Sequence, residues 1–313
     1  MSGPTPRRAI AAVATGAAWL VGLSALLTLA DGFLGTVHVA RAVLGGLLVS
    51  LAVGRAGVLW DDDDPDADSY KKPALLALKG AVRGASVALA TIAIASAVGW
   101  ATIGAGTPAL AIFVGLLVAA GNAVRDELLL RALPIHFARR AGLVGDGGRG
   151  RLSISTPTEL GVVGFCALVS LAPLVLAPRA TAGSLVFAAS IGALHAAMQI
   201  RSRSAWGPIA SSFALRLILG PTLQAGLLRI DWSVGELAVG STDAGPAVWV
   251  FAALAIAVAA VGIPRRPLPP PDPLSAGAAA RPRATRRSPR TRRPRPEASP
   301  ASPQASEPEP PPP

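Results

Sequence analysis

The stretch Pro108–Arg131, PALAIFVGLLVAAGNAVRDELLLR, opens with no charge at all and then places Arg125, Asp126, Glu127 and Arg131 within seven residues. About 20 apolar residues cross the hydrocarbon core of a bilayer. A charge left in that core costs several kcal/mol unless it is paired or faces a cavity. The stretch therefore reads as a transmembrane helix whose charged end needs an explanation. No helix breaker follows until Pro134, so the charges continue the helix.

Seven further apolar runs surround this one. They are Ala9–Ala30, Val39–Trp60, Gly84–Gly104, Leu160–Leu176, Gly183–Ile200, Trp206–Leu228 and Pro246–Ile263. Arg41 and Arg55 interrupt the second run near its ends, where long side chains snorkel. The expected fold is an all-α polytopic transmembrane bundle of about eight spans over residues 1–263. Only 15% of the 313 residues are charged, against about a quarter in a soluble domain, and the mean hydropathy is +0.51. Glycine and alanine pairs such as Gly45-Gly46 and Ala188-Ala189 let helices approach closely in lipid. No internal repeat stands out.

The net charge is +11, and residues 264–313 hold ten arginines against four acids. That proline- and arginine-rich tail has too little apolar content for a core, so it is expected to be disordered. It either meets anionic lipid headgroups or is a solvated tail that reinforces topology. A pI near 11.4 suggests nucleic acid, but positive cytoplasmic loops account for it, and no nucleic-acid partner is expected. With Arg7 and Arg8 in the cytoplasm, eight spans return the tail there. Arg139, Arg140, Arg149, Arg151, Arg201 and Arg203 then fall inside, and the loop with Asp231, Glu236 and Asp243 falls outside. The acidic loop Asp61–Asp68 also falls inside, but acids contribute little to orientation. The run Ala9–Ala30 is long for a cleaved signal and reads as an anchor.

Charges within spans are functional candidates. Glu127 and Arg131 are four apart and share a helix face. Asp126 and Glu127 are adjacent, and a carboxylate poised by its neighbour can act as general base on water. The alternative is a salt-bridged helix end near the cytoplasm. His195 sits among apolar and small residues, about one and a half turns before Arg201, at a depth similar to that of the acidic pair. A packing histidine is the alternative. Arg216 lies well inside its span and needs a partner such as Glu127. Glu159 with Thr156 resembles a capping box. His38 falls on the outer side, and His136 is interfacial. Cys166 is the single cysteine, so no intramolecular disulfide or cysteine metal site arises, and no His-Glu-x-x-His helix suggests zinc. No cofactor or metal is expected.

Asp126-Glu127-x-x-x-Arg131 resembles the Glu-Glu-x-x-x-Arg motif of the CPBP family, the CAAX prenyl endopeptidase and bacteriocin-processing (Abi) membrane proteins. The resemblance covers roughly 108–219. Ile191-x-x-x-His195 is similar to the family's Phe-x-x-x-His, although the family usually carries that histidine one span earlier, where this chain has Phe165 to Ser170. Trp206-Gly207-Pro208-Ile209 follows the family's Trp-Ala-Pro-Ile frame, with Ser212 and Arg216 at the His and Asn positions of His-x-x-x-Asn.

The resemblance implies a glutamate-type intramembrane endopeptidase. Its first acid, here Asp126, activates water, and histidines assist and stabilise the oxyanion. Asp126, Glu127, Arg131 and His195 are then the catalytic candidates, with Ser212 and Arg216 as secondary ones. The implied partners are membrane lipid and a membrane-associated peptide or protein substrate near the cytoplasmic face. Some bacterial members process C-terminal sorting signals, as the myxosortases do. A bacterial inner (cell) membrane location fits the Ala-, Arg- and Pro-rich composition. Two other readings stay open. One is a catalytically degenerate scaffold that binds a partner. The other is a transporter, since intramembrane charges also mark ion and substrate paths.

Overall fold

The structure is a computed structural model, and it describes residues 6–34, 37–58, 71–106, 111–144, 157–175, 180–220, 228–239 and 245–260. The expected disordered tail, the acidic loop 61–68, and Arg149, Arg151 and Thr156 lie outside the described residues.

Each expected span contains helix, but the boundaries differ. The helices are α1 (Pro6–Leu34), α2 (His38–Arg55), α3 (Lys71–Ala97), α4 (Ala111–Glu127), α5 (Leu133–Arg140), α6 (Pro157–Val169), α7 (Ala172–Val175), α8 (Ala182–Ser202), α9 (Trp206–Ile218) and α10 (Ala247–Ala260). Among the described residues, five helical stretches are long and apolar enough to cross a membrane: α1, α2, α3, α6 continued through α7, and α8. The helix α10 is apolar but shorter, and α9 has 13 residues. α4 ends in charge, with Arg125 in its last turn.

The fold is mostly helical, as expected, with one short antiparallel ribbon added. β1 (Ala101–Ala105) pairs antiparallel with β2 (Leu228–Trp232), with Ala101 opposite Trp232 and Ala105 opposite Leu228. The expected spans Gly84–Gly104 and Trp206–Leu228 therefore each run past the end of a helix into a strand. Gly99, at φ +77°, takes the left-handed turn just after α3, a conformation that suits glycine. The Ser233 N–H then bonds the Trp100 carbonyl at 2.9 Å and extends the ribbon.

Pro134 does not stop the helix that carries the acidic pair. A π-helical turn at Leu128–Ala132 joins α4 to α5, with the Leu133 N–H bonded to the Leu128 carbonyl. Proline lacks an N–H and its ring crowds the carbonyl four residues back. A wider turn just before it relieves that crowding. The helix thus runs on to Arg140, about 20 Å beyond Glu127 at 1.5 Å per residue.

Neighbouring helices pack through small residues, as expected in lipid. A β-carbon at Gly46 would stand 3.0 Å from the Gly121 carbonyl oxygen, where α2 meets α4. One at Gly84 would stand 2.5 Å from the Ser211 carbonyl oxygen, where α3 meets α9. Gly16 of α1 lies against Phe137 of α5, and Gly57, after α2, faces the Arg140 guanidinium. At the other end of α1, Asp31 meets Arg41 at 2.9 Å and Arg125 at 4.0 Å. The bundle therefore has one end marked by Arg139, Arg140 and Arg201, and an opposite end marked by Asp31, Arg41 and the β1–β2 ribbon.

Candidate functional site

The site forms where α4, the π turn, α8 and α9 meet. Adjacent side chains on a helix point about 100° apart. Asp126 and Glu127 consequently enter two different networks rather than one shared site.

Glu127 belongs to the buried network. Its Oε1 lies 2.8 Å from His195 Nδ1 and 3.1 Å from Arg131 Nη1. Glu127 is 1% exposed and His195 0%. The far nitrogen of the imidazole, Nε2, lies 3.0 Å from Ser211 Oγ. Arg131 also donates to Ser170 Oγ at 2.8 Å and to the Asp126 carbonyl at 3.3 Å. Ser170 in turn donates to the Cys166 carbonyl at 2.7 Å. Donor and acceptor logic has Nδ1–H donating to the carboxylate, so a neutral His195 accepts at Nε2 from the Ser211 hydroxyl. The second carboxylate oxygen, Oε2, is buried and has no hydrogen-bond partner among the described residues.

Asp126 belongs to a more open network. Arg125 Nε donates to its Oδ1 at 2.9 Å, and Arg216 of α9 closes on its Oδ2. Asp126 is 19% exposed at the side chain and Arg216 21%. Arg125 leads on to Asp31 and Arg41, which makes a string of alternating charge from α2 and α1 through α4 to α9. Arg216 was expected to need an acid from another span, and Glu127 was the named candidate. The acid is Asp126 instead.

A cavity of about 240 Å³ borders both networks. Its polar wall carries Arg125, Asp126, Glu127, Arg131, Ser170, Ser212 and Arg216. Phe187, Ile191 and Leu215 form part of its apolar wall. Each of the six candidates from the sequence lies in this region. Asp126, Glu127, Arg131, Ser212 and Arg216 line the cavity, whereas His195 stands behind Glu127 and does not.

The expected depth needs correction. The acidic pair and His195 do share a depth, since they touch. They are not at the arginine-rich end, because the helix continues from Glu127 to Arg140. The cavity also takes Ser184, Phe187 and Ala188 from the first turns of α8, Pro173 and Leu174 from the close of α6–α7, and Val239. The Val239 N–H bonds the Leu219 carbonyl beyond α9. These residues belong to the half of the bundle that holds the ribbon.

Ser211 was missed by sequence reasoning, which favoured its neighbour Ser212. Ser211, His195 and Glu127 follow the nucleophile, base and orienting-acid order of a catalytic triad. Ser211 is nevertheless fully buried and lies against Gly84 of α3, which leaves no room for an acyl group. Its hydroxyl is engaged with His195 Nε2 instead. The available signal was Gly207 four residues earlier on the same helix face: both face glycine positions of α3. Ser170, at the end of the stretch Phe165 to Ser170 that lacks the family's histidine, also belongs to the network. Arg125 and Asp31 were not anticipated as partners of the site.

Among the described residues no group of three His, Cys, Asp or Glu side chains converges to hold a metal ion. Cys166 is fully buried, as expected of a packing residue. Comparison with known families, with characterised proteins and with solved structures finds no match for this chain.

Proposed function

We propose that this chain is a CPBP-like intramembrane endopeptidase of the glutamate type, acting on a membrane-associated peptide, with Glu127 as its general base. The observation that supports the reading is the setting of Glu127. It lines the cavity, its Oε1 is fixed by Arg131 and His195, and its Oε2 has no hydrogen-bond partner among the described residues. A water beside this carboxylate gives it a proton and attacks the scissile carbonyl. Glu127 then passes that proton to the leaving amine. Arg216 and Ser212 line the same cavity and are donors suited to the developing oxyanion. His195 positions Glu127 and stabilises its charge. Asp126 has both oxygens engaged by Arg125 and Arg216, so it orients Arg216 rather than accepting the proton. This moves the base from the first acid of the motif to the second.

The same proposal includes eight crossings, a bacterial inner membrane, and both termini at the arginine-rich, cytoplasmic end. The cavity then lies in the outer half of the bundle. Substrates are C-terminal segments of membrane proteins reached from that side.

A second reading is a non-hydrolytic binding scaffold. Val169 and Ser212 favour it, because they stand where the family motifs would place histidine. The test is the purified chain in lipid vesicles with a fluorogenic, membrane-anchored peptide. Glu127→Gln should lower cleavage by about 10²–10⁴-fold, the usual worth of a positioned acid–base group, with Ser211→Ala much milder. No cleavage by the unaltered chain, combined with photocrosslinking of the peptide through the cavity residue Ala188, would establish the scaffold instead.

A further inference from the structure

A second cavity lies away from the acidic pair, on the flank where α1, α5 and α6 meet. Its volume is about 420 Å³, within the roughly 300–1,000 Å³ range of small-ligand sites. Gly16 and Leu20 of α1, Phe137 and Ala138 of α5, and Gly161 and Phe165 of α6 are among its walls. Thr158 is the one hydroxyl residue in an otherwise apolar lining. In water such a groove would call for a protein partner. In a bilayer it calls for a chain, because lining atoms without neighbours lose their dispersion contacts.

The charges at the same end say what carries that chain. Arg140 lies in the last turn of α5, and its guanidinium carbon stands 5.9 Å above the ring of Phe137, a wall of the groove. Arg7 and Arg8 begin α1, a turn or more before the groove-lining Val13. Arg55 closes α2, next to Gly57, which faces Arg140. All four arginines are exposed, and none has an ion-pair partner among the described residues. Glu159 is the one described acid beside the groove, and it is already engaged.

We propose that this groove is a binding site for an anionic phospholipid, with an acyl chain along Phe137, Gly161 and Phe165 and the phosphate at Arg140 and Arg8. An uncharged amphiphile would fill the groove but leave these arginines without a counter-charge among the described residues. An anionic headgroup matches both parts at once. The site is separate from the Glu127 cavity, so it does not depend on the reading of that cavity as an endopeptidase.

The test uses the full chain in nanodiscs of equal parts phosphatidylglycerol and phosphatidylcholine, with retained lipid read by native mass spectrometry. The unaltered chain should keep one phosphatidylglycerol in preference to phosphatidylcholine. Arg140→Ala and Arg8→Ala should each weaken that preference about fivefold, the worth of one basic residue at an anionic lipid surface. Gly161→Leu should block retention by filling the groove. A β-carbon at Gly161 meets nothing within 4 Å, so this variant tests occupancy rather than folding. Three outcomes overturn the proposal. One is equal retention of both lipids. Another is a preference that survives Arg140→Ala and Gly161→Leu. The third is a dimer that Gly161→Leu dissociates, which would make the occupant a second copy of the chain.

Discussion

Glu127 Oε1 meets Arg131 from one turn further along its own helix and His195 from α8, so one carboxylate oxygen ties two segments together. Removing it leaves Arg131 buried without a counter-charge, and breaking a buried pair costs about 3–5 kcal/mol. Glu127→Ala should therefore unfold well before the unaltered chain in a thermal scan in detergent. Adding Arg131→Met to Glu127→Leu should recover much of that loss, since it removes the stranded charge. A double variant no more stable than Glu127→Ala would refute the ion-pair account. The Glu127–Arg131 pair was legible from the sequence because four residues bring side chains onto one helix face. The His195 contact was legible only as a shared depth. Ser211 and Ser212 differ by about 100° of rotation, and only the glycine positions of α3 determine which of them faces His195. The same ambiguity hid the division of labour between Asp126 and Glu127.

At the scale of elements, the seam between α3 and α9 holds the site from behind. Gly84 lies against Ser211, and Ser211 holds Nε2 of His195. A larger residue there must push α9 away, and over-packing costs about 1–3 kcal/mol. Gly84→Val should lower the melting temperature, and it should also reduce peptide cleavage although residue 84 does not line the cavity. Gly54 meets nothing within 4 Å, so Gly54→Ala serves as the control and should change neither measurement. The existence of the helices was legible from their apolar runs. Their ends were less so. β1 and the start of β2 continue apolar runs that already read as spans, and five-residue strands leave little pattern of their own. Pro134 misled for a related reason. It is a breaker in sequence, but the π turn before it lets the helix pass.

At the scale of the molecule, the end marked by Arg139, Arg140 and Arg201 and the cavity occupy different halves. The proposed orientation puts the end with Arg139, Arg140 and Arg201 in the cytoplasm, as the positive-inside rule would have it. The contact of Asp31 with Arg125 ties the acidic-pair region to the far end of α1. The proposed topology rests on the loop charges of the sequence. The sequence could not give the depth of the site, because nothing in it signals that the helix survives Pro134. Single-cysteine labelling in sealed vesicles checks the whole arrangement. Cys166 is fully buried, so its background is low. Ile103 in β1 is 52% exposed and Leu143, after α5, is 38% exposed. Ile103→Cys and Leu143→Cys should react with a membrane-impermeant maleimide from opposite sides. Ala188→Cys in the cavity wall should follow Ile103 and be protected by a bound peptide. If Ala188→Cys instead labels with Leu143→Cys, the cavity opens to the cytoplasm and its substrates arrive from that side.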